Sequence, residues 1–152
     1  MSGRLLEELK QTKPFHSLPH EAYLNLQKTA DVLRQRLIAE LKPFGVSETQ
    51  YNVLRILRGA GEEGLRCGDI GDRMVTHDPD ITRLLDRLER RELVVRQRAV
   101  KDRRVVTARI TPAGLALLSQ LDAPMDQMMV RLLGHLGSER LTSLIELLEA
   151  SR

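Results

Sequence analysis

Aromatic side chains are nearly missing from this chain of 152 residues, which has two Phe, two Tyr and no Trp. Its core must therefore be built from Leu, Val, Ile and Met. A protein that stacks single-stranded nucleic acid or RNA bases on exposed rings is disfavoured. Cysteine occurs once, as Cys67, which excludes an intramolecular disulfide framework. No run approaches the ~18 apolar residues of a membrane span, and the opening MSGRLLEELKQTK lacks a signal-peptide apolar run. A cytoplasmic protein without membrane contact is expected. Nothing resembles a Gly-rich phosphate loop, a GxSxG elbow or a Cys/His zinc spacing, so neither an enzyme, a cofactor nor a metal site is expected.

What the chain does have is unevenly placed positive charge. Between Val94 and Ile110 stand six basic residues (Arg96, Arg98, Lys101, Arg103, Arg104, Arg109) and one acid, Asp102, a net of +5 in a chain of net +3. Val-rich runs over 93–100 and 105–110 flank Lys101-Asp102-Arg103-Arg104, which reads as a β-hairpin with a basic tip. Charge held out in solvent this way fits a polyanion better than an ordinary solvated surface. Before the hairpin, Ile81, Leu84, Leu85 and Leu88 repeat at i, i+3, i+4, i+7, the buried face of a helix. Arg83, Asp86, Arg87 and Arg90 fall on its other side.

Six further helices are predicted. Residues 5–9 form a short amphipathic piece before Pro14. A long helix starts near Leu18-Pro19, with a stripe of Ala22, Leu26, Ala30, Leu33, Leu37 and Leu41, and ends at Pro43. Ser47 and Gln50 form a capping box, with Val46 and Tyr51 as its hydrophobic staple, for a helix that stops at Gly59 or Gly61. A short helix over about 68–74, a turn at Val75-Thr76-His77 and a helix capped by Asp78 with Pro79 at its first position make a helix-turn-helix, which the hairpin turns into a winged one. Thr111-Pro112 opens a long helix that Pro124 should kink or split, and a last helix covers 139–150. The fold class is mainly α with a small β-hairpin wing (α+β). The outer helices carry more apolar surface than a small head can cover, which points to a second copy.

The wing pattern Asp102-x-Arg104 followed by Thr111-x-x-Gly114, the helix stretch TRLLDRLE (82–89), Arg96 in the first wing strand and the helix order resemble the MarR family, the multiple antibiotic resistance regulators, over roughly 18–150. The resemblance implies one MarR-like domain over 1–152, with dimerisation helices at 18–45 and 112–152 and a winged helix-turn-helix DNA-binding region at 46–111. It implies a homodimer on a pseudo-palindromic double-stranded operator. Many members are repressors released by a small, often aromatic effector or by thiol oxidation. Two positions depart from the family. Glu92 stands where members usually carry Gly after the recognition helix, so a differently shaped helix end is expected. Asp78-Pro79-Asp80 stands where Ser or Thr is commoner. From Asp78 to Arg91 four acids balance four arginines, so affinity should lean on the wing.

Within that frame, Arg83 on the first exposed turn is read as the base-edge reader, since arginine pairs bidentately with guanine O6 and N7. Its alternative is a solvated pair with Asp80 or Asp86. Arg87 and Arg90 contact phosphate or pair with Asp86. Thr82 contacts phosphate or a thymine methyl, or is a spacer. Asp80 is read as a helix-dipole partner ahead of a cytosine acceptor. Arg104 suits a narrow minor groove, with Lys101 and Arg103 as the other tip cations, while Asp102 orients a wing arginine or caps the turn. Cys67, in phase with Ile70 and Met74, is read as a small packed hydrophobe, with a redox sensor as the alternative. His16, His20, Tyr23 and Tyr51 are read as ordinary surface or core residues. A homodimeric, sequence-specific regulator, a repressor with a small-molecule release, is therefore expected ahead of a thiol-based sensor, a small enzyme or an architectural DNA binder.

Overall fold

In the computed structural model, Ser47 Oγ accepts from the Gln50 backbone N–H at 3.1 Å, and the Ser47 N–H donates to Gln50 Oε1 at 3.1 Å. This reciprocal box starts α3 (Glu48–Ala60), and its staple residues Val46 and Tyr51 are both buried. The structure describes residues 3–78 and 80–152. In order, the elements are α1 (Leu5–Glu8), α2 (Leu18–Leu41), α3, β1 (Leu65–Arg66), α4 (Cys67–Ile70), α5 (Ile81–Arg90), β2 (Val94–Arg98), β3 (Val106–Ile110), α6 (Pro112–Leu133) and α7 (Gly137–Ala150). The chain divides into two compact units, Met1–Arg36 and Leu37–Arg152.

In the first unit, Ser17 Oγ accepts from the His20 N–H at 3.3 Å and caps the start of α2. The rings of His16 and His20 stack at 5.6 Å. These two histidines do stand four residues apart, a spacing that zinc sites use. Only His20 is on α2, and no group of three or more His, Cys, Asp or Glu able to hold a metal gathers among the described residues.

The second unit holds the core. Leu54 and Leu57 of α3, Ile70 of α4, Leu85 and Leu88 of α5, and Leu118 and Leu121 of α6 are wholly buried together. Arg58 Nη1 spans both carboxylate oxygens of Asp122, at 3.0 and 2.9 Å, and ties α3 to α6. That hydrogen bond raises the Arg58 pKa. Helix α6 runs unbroken through Pro124, so the expected split does not occur. The strands are shorter than the Val-rich runs suggested, because the turn takes residues 99–105. A third strand, absent from the sequence reading, is the two-residue β1. It pairs antiparallel with β3 (Leu65 opposite Ala108) in a sheet ordered β1-β3-β2. Gly64 (φ +71°) precedes β1, and a Cβ there would collide with the Ala108 carbonyl.

Helix α5 departs from expectation at both ends. Its N-cap is Asp80, whose Oδ1 accepts from the Arg83 N–H at 3.0 Å, and not Asp78. Asp78 Oδ1 instead accepts from the Asp80 N–H at 2.9 Å and fixes the residue that does the capping. Pro79, expected at the first helical position, lies outside the described residues. At the other end, the expected reshaping by Glu92 is absent. Glu92 takes the left-handed conformation (φ +59°) that glycine would take. The Leu93 N–H donates to Leu88 O at 3.0 Å and the Glu92 N–H to Glu89 O at 2.9 Å, a Schellman closure with Leu93 and Leu88 both buried. Thr111 Oγ1 donates to Glu92 O at 2.7 Å and holds it there. Thr111 also caps α6, accepting from the Gly114 N–H at 3.1 Å, and a Cβ on Gly114 would stand 2.5 Å from the Leu93 carbonyl oxygen. The Thr-x-x-Gly pattern is thus a joint between the recognition helix, the wing and α6.

Candidate nucleic-acid interface

Helix α5 presents two polar stripes beside its buried one. Arg83, Arg87 and Arg90 follow at i, i+4, i+7 and are exposed. Thr82, Asp86 and Glu89 make the neighbouring stripe. Arg96 of β2, half-buried opposite the small Ala108, reaches across to that second stripe. Its Nη2 donates to Asp86 Oδ1 at 2.5 Å, its Nε to Glu89 Oε2 at 3.1 Å, and its backbone N–H to the same Glu89 oxygen at 3.0 Å. The hydrogen bond to Glu89, chiefly, raises the Arg96 pKa above the ordinary arginine value. Arg96 is therefore a brace between wing and helix rather than a solvent-facing cation, which corrects its place in the count of wing charge.

This brace decides what the other arginines do. With Asp86 and Glu89 engaged, Arg87 and Arg90 have no ion pair or side-chain hydrogen bond among the described residues, so the expected pairing with Asp86 is not made. Arg91 is taken up elsewhere, its Nη1 donating to Gly45 O at 2.6 Å. Arg83 has its Nε 3.2 Å from Asp80 Oδ2, with 70% of its side chain exposed.

The wing tip is organised by Asp102. Its Oδ1 accepts from the Arg104 N–H at 3.0 Å, and the Val105 N–H donates to Asp102 O at 3.0 Å. Asp102 thus takes the turn-capping one of its two expected roles and sets the backbone that presents Arg104. Arg98 Nη1 donates to Arg103 O at 2.9 Å and steadies the same turn. Arg109 is held by Gln97 Oε1 at 3.1 Å. The side chains of Lys101, Arg103 and Arg104 are exposed and have no partner among the described residues.

Cys67, Thr82, Leu85, Glu89, Arg96, Arg98 and Val106 line a cavity of about 400 Å³ between α5 and the wing. Burial pushes the Cys67 thiol up from its ordinary pKa, more than the nearby Arg96 pulls it down. The thiolate that oxidation or metal binding needs is therefore disfavoured. Among the described residues, no helix is long and apolar enough to cross a membrane.

A short helix, a turn, a second helix with an arginine stripe and a hairpin with a cationic tip define a winged helix-turn-helix built to meet duplex DNA. The family profile described as MarR family matches residues 46–106. A MarR transcription factor from Planctomyces limnophilus, solved as a crystal structure, is 44% identical over 90% of this chain and 99% of its own, with a TM-score of 0.70. Among curated proteins of Bacillus subtilis, the HTH-type transcriptional repressor MdtR is 28% identical over 85% of this chain and 82% of its own. The HTH-type transcriptional regulator MhqR is 29% identical over 65% and 67%. The chain belongs to the MarR family of DNA-binding transcription regulators.

Proposed function

We propose that this regulator acts in the cytoplasm as a homodimeric repressor on a pseudo-palindromic operator, released by a small aromatic ligand. It is regulatory rather than enzymatic. Five exposed cations without partners among the described residues, Arg87 and Arg90 on α5 and Lys101, Arg103 and Arg104 on the wing, carry the reading. A surface left uncompensated in this way is attracted to a regular array of phosphates. In this reading Arg83 and Thr82 meet base edges, Arg87 and Arg90 meet phosphate beside them, and the tip enters the adjacent minor groove with Asp102 setting its turn.

Residues 46–111 form the DNA-binding region, and 18–45 with 112–152 the dimer. Exposed apolar side chains support the second part. Helix α7 buries no residue in the single chain, with Ile145 53% and Leu147 70% exposed, and α2 leaves Leu26, Val32 and Ile38 open. Light scattering at micromolar concentration is expected to give twice the chain mass, and Leu144→Asp to halve it and weaken DNA binding. The cavity between α5 and the wing is large enough for a small aromatic acid, and an occupant there would bear on the brace that sets the angle of the recognition helix. Thiol-based release is not favoured, given the raised thiol pKa of Cys67.

The test is a footprint on fragments of the source genome. A discrete, two-fold symmetric protected site is the expected result. Uniform protection would mean an architectural protein, and no protection would refute DNA recognition by this surface.

A further inference from the structure

We infer that Asp80 is a specificity-determining residue, a positioning carboxylate that turns Arg83 from a phosphate-seeking cation into a reader of guanine. The inference rests on the reading of Arg83 as the base-edge contact. One carboxylate holds Arg83 at two places. Oδ1 accepts from its backbone N–H at 3.0 Å, and Oδ2 stands 3.2 Å from its Nε. Asp80 is itself fixed by Asp78, which accepts from its N–H at 2.9 Å.

A guanidinium offers two donor edges, one made of Nε and one terminal nitrogen, the other of the two terminal nitrogens. With Nε against Asp80, the terminal edge remains. Its two parallel donors match guanine O6 and N7. The charge balance matters equally. Arg83 and Asp80 are 70% and 50% exposed and together carry no net charge. At a step without guanine the pair gains nothing from phosphate, because the carboxylate is repelled as the guanidinium is attracted. An unpaired arginine at that position would bind any sequence through the backbone. Being exposed, the pair adds little to fold stability, so its removal should appear in recognition and not in folding.

The experiment selects bound duplexes from a random-sequence pool with the full-length wild type, Asp80→Asn and Arg83→Ala. Binding of each to its best and to scrambled duplex is then measured at several salt concentrations. Asparagine caps a helix as well as aspartate does, so unchanged thermal unfolding of Asp80→Asn is expected to show that the helix start is intact. Asp80→Ser, which also caps, serves as a second variant. The wild type is expected to select a symmetric pair of guanines that Arg83→Ala no longer selects, a preference of roughly 5- to 150-fold for one bidentate contact. In Asp80→Asn and Asp80→Ser that preference should fall about fivefold or more. Binding to scrambled duplex should tighten and its log–log salt slope steepen by about one unit, the mark of one more phosphate neutralised. Replacing the selected guanine by 7-deazaguanine, which lacks N7, should cost the wild type more than it costs Asp80→Asn. Full guanine preference and an unchanged salt slope in both Asp80 variants would overturn the role of Asp80 while leaving Arg83 as the reader. Guanine selection surviving in Arg83→Ala would overturn the reading of Arg83 and this inference with it.

Discussion

The recognition helix and the wing carry the same kind of residue and use it in opposite ways. On α5 the arginines are interleaved with acids, and each acid is engaged, while Arg87 and Arg90 have no ion pair among the described residues. Asp86 and Glu89 hold Arg96, Asp80 holds Arg83, and Arg91 is tied to Gly45. On the wing tip the single acid, Asp102, faces its own backbone, and three cations are left to solvent. An arginine paired with an acid, as Arg83 is, gains little from phosphates that look alike at every step, whereas the unbalanced cations of the tip, with Arg87 and Arg90, gain from any duplex. The difference points to a division of labour in which the wing tip, with Arg87 and Arg90, would serve affinity and the Arg83–Asp80 pair specificity, with Arg96 joining the two elements.

The joint is where the comparison breaks most readily. Arg96→Met should leave Asp86 and Glu89 without their cation, on the helix proposed to face DNA. After discount for their partial exposure, a stability loss of about 1–2 kcal/mol is expected in chemical denaturation. Affinity for all duplexes should fall together, since two freed carboxylates repel every phosphate. Binding that weakens at only one base position would show that Arg96 reads sequence itself. A smaller effect of opposite sign is expected at the far end of α5. Glu92→Gly relieves a left-handed residue and should stabilise the fold by up to about 1 kcal/mol without altering operator preference. A loss of stability would mean that the contacts of Glu92 outweigh its backbone strain. The smallest effect is expected at Cys67. With its thiol pKa raised by burial, wild-type protein should react slowly with a thiol reagent at neutral pH, and Cys67→Ser should keep both DNA binding and its indifference to peroxide. Release of the wild type but not of Cys67→Ser by peroxide would restore the sensor.

Local signals were legible in the sequence and distant ones were not. The box of Ser47 and Gln50, the cap of Thr111 and the apolar period of α5 depend on neighbours a few positions apart, and each is found where the spacing put it. The strand β1 has two residues, too few to show a period, and exists because Gly64 lets the chain close on Ala108. The choice between Asp78 and Asp80 as cap could not be made from composition, because both carboxylates do cap a backbone N–H, one after the other. Arg96 was visible as part of a charge count but not as a brace. Its partners lie on another element, and summing charge along the chain says nothing about which side of the helix each acid faces. Glu92 broke the expected residue type without breaking the geometry, since Thr111 and the burial of Leu93 hold the turn from outside.

The division between helix and wing is tested most directly by binding Arg83→Ala and Arg104→Ala to a panel of single-base operator changes at two salt concentrations. Arg104→Ala should weaken binding across the whole panel, with some extra loss at narrow A·T-rich minor grooves, and flatten the log–log salt slope by about one unit. Arg83→Ala should cost about 1–3 kcal/mol on the best site, lose preference at one symmetric pair of positions and leave the salt slope nearly as it was. Equal losses across the panel for both variants, with equal changes in slope, would contradict the account and leave a basic DNA binder whose specificity resides elsewhere.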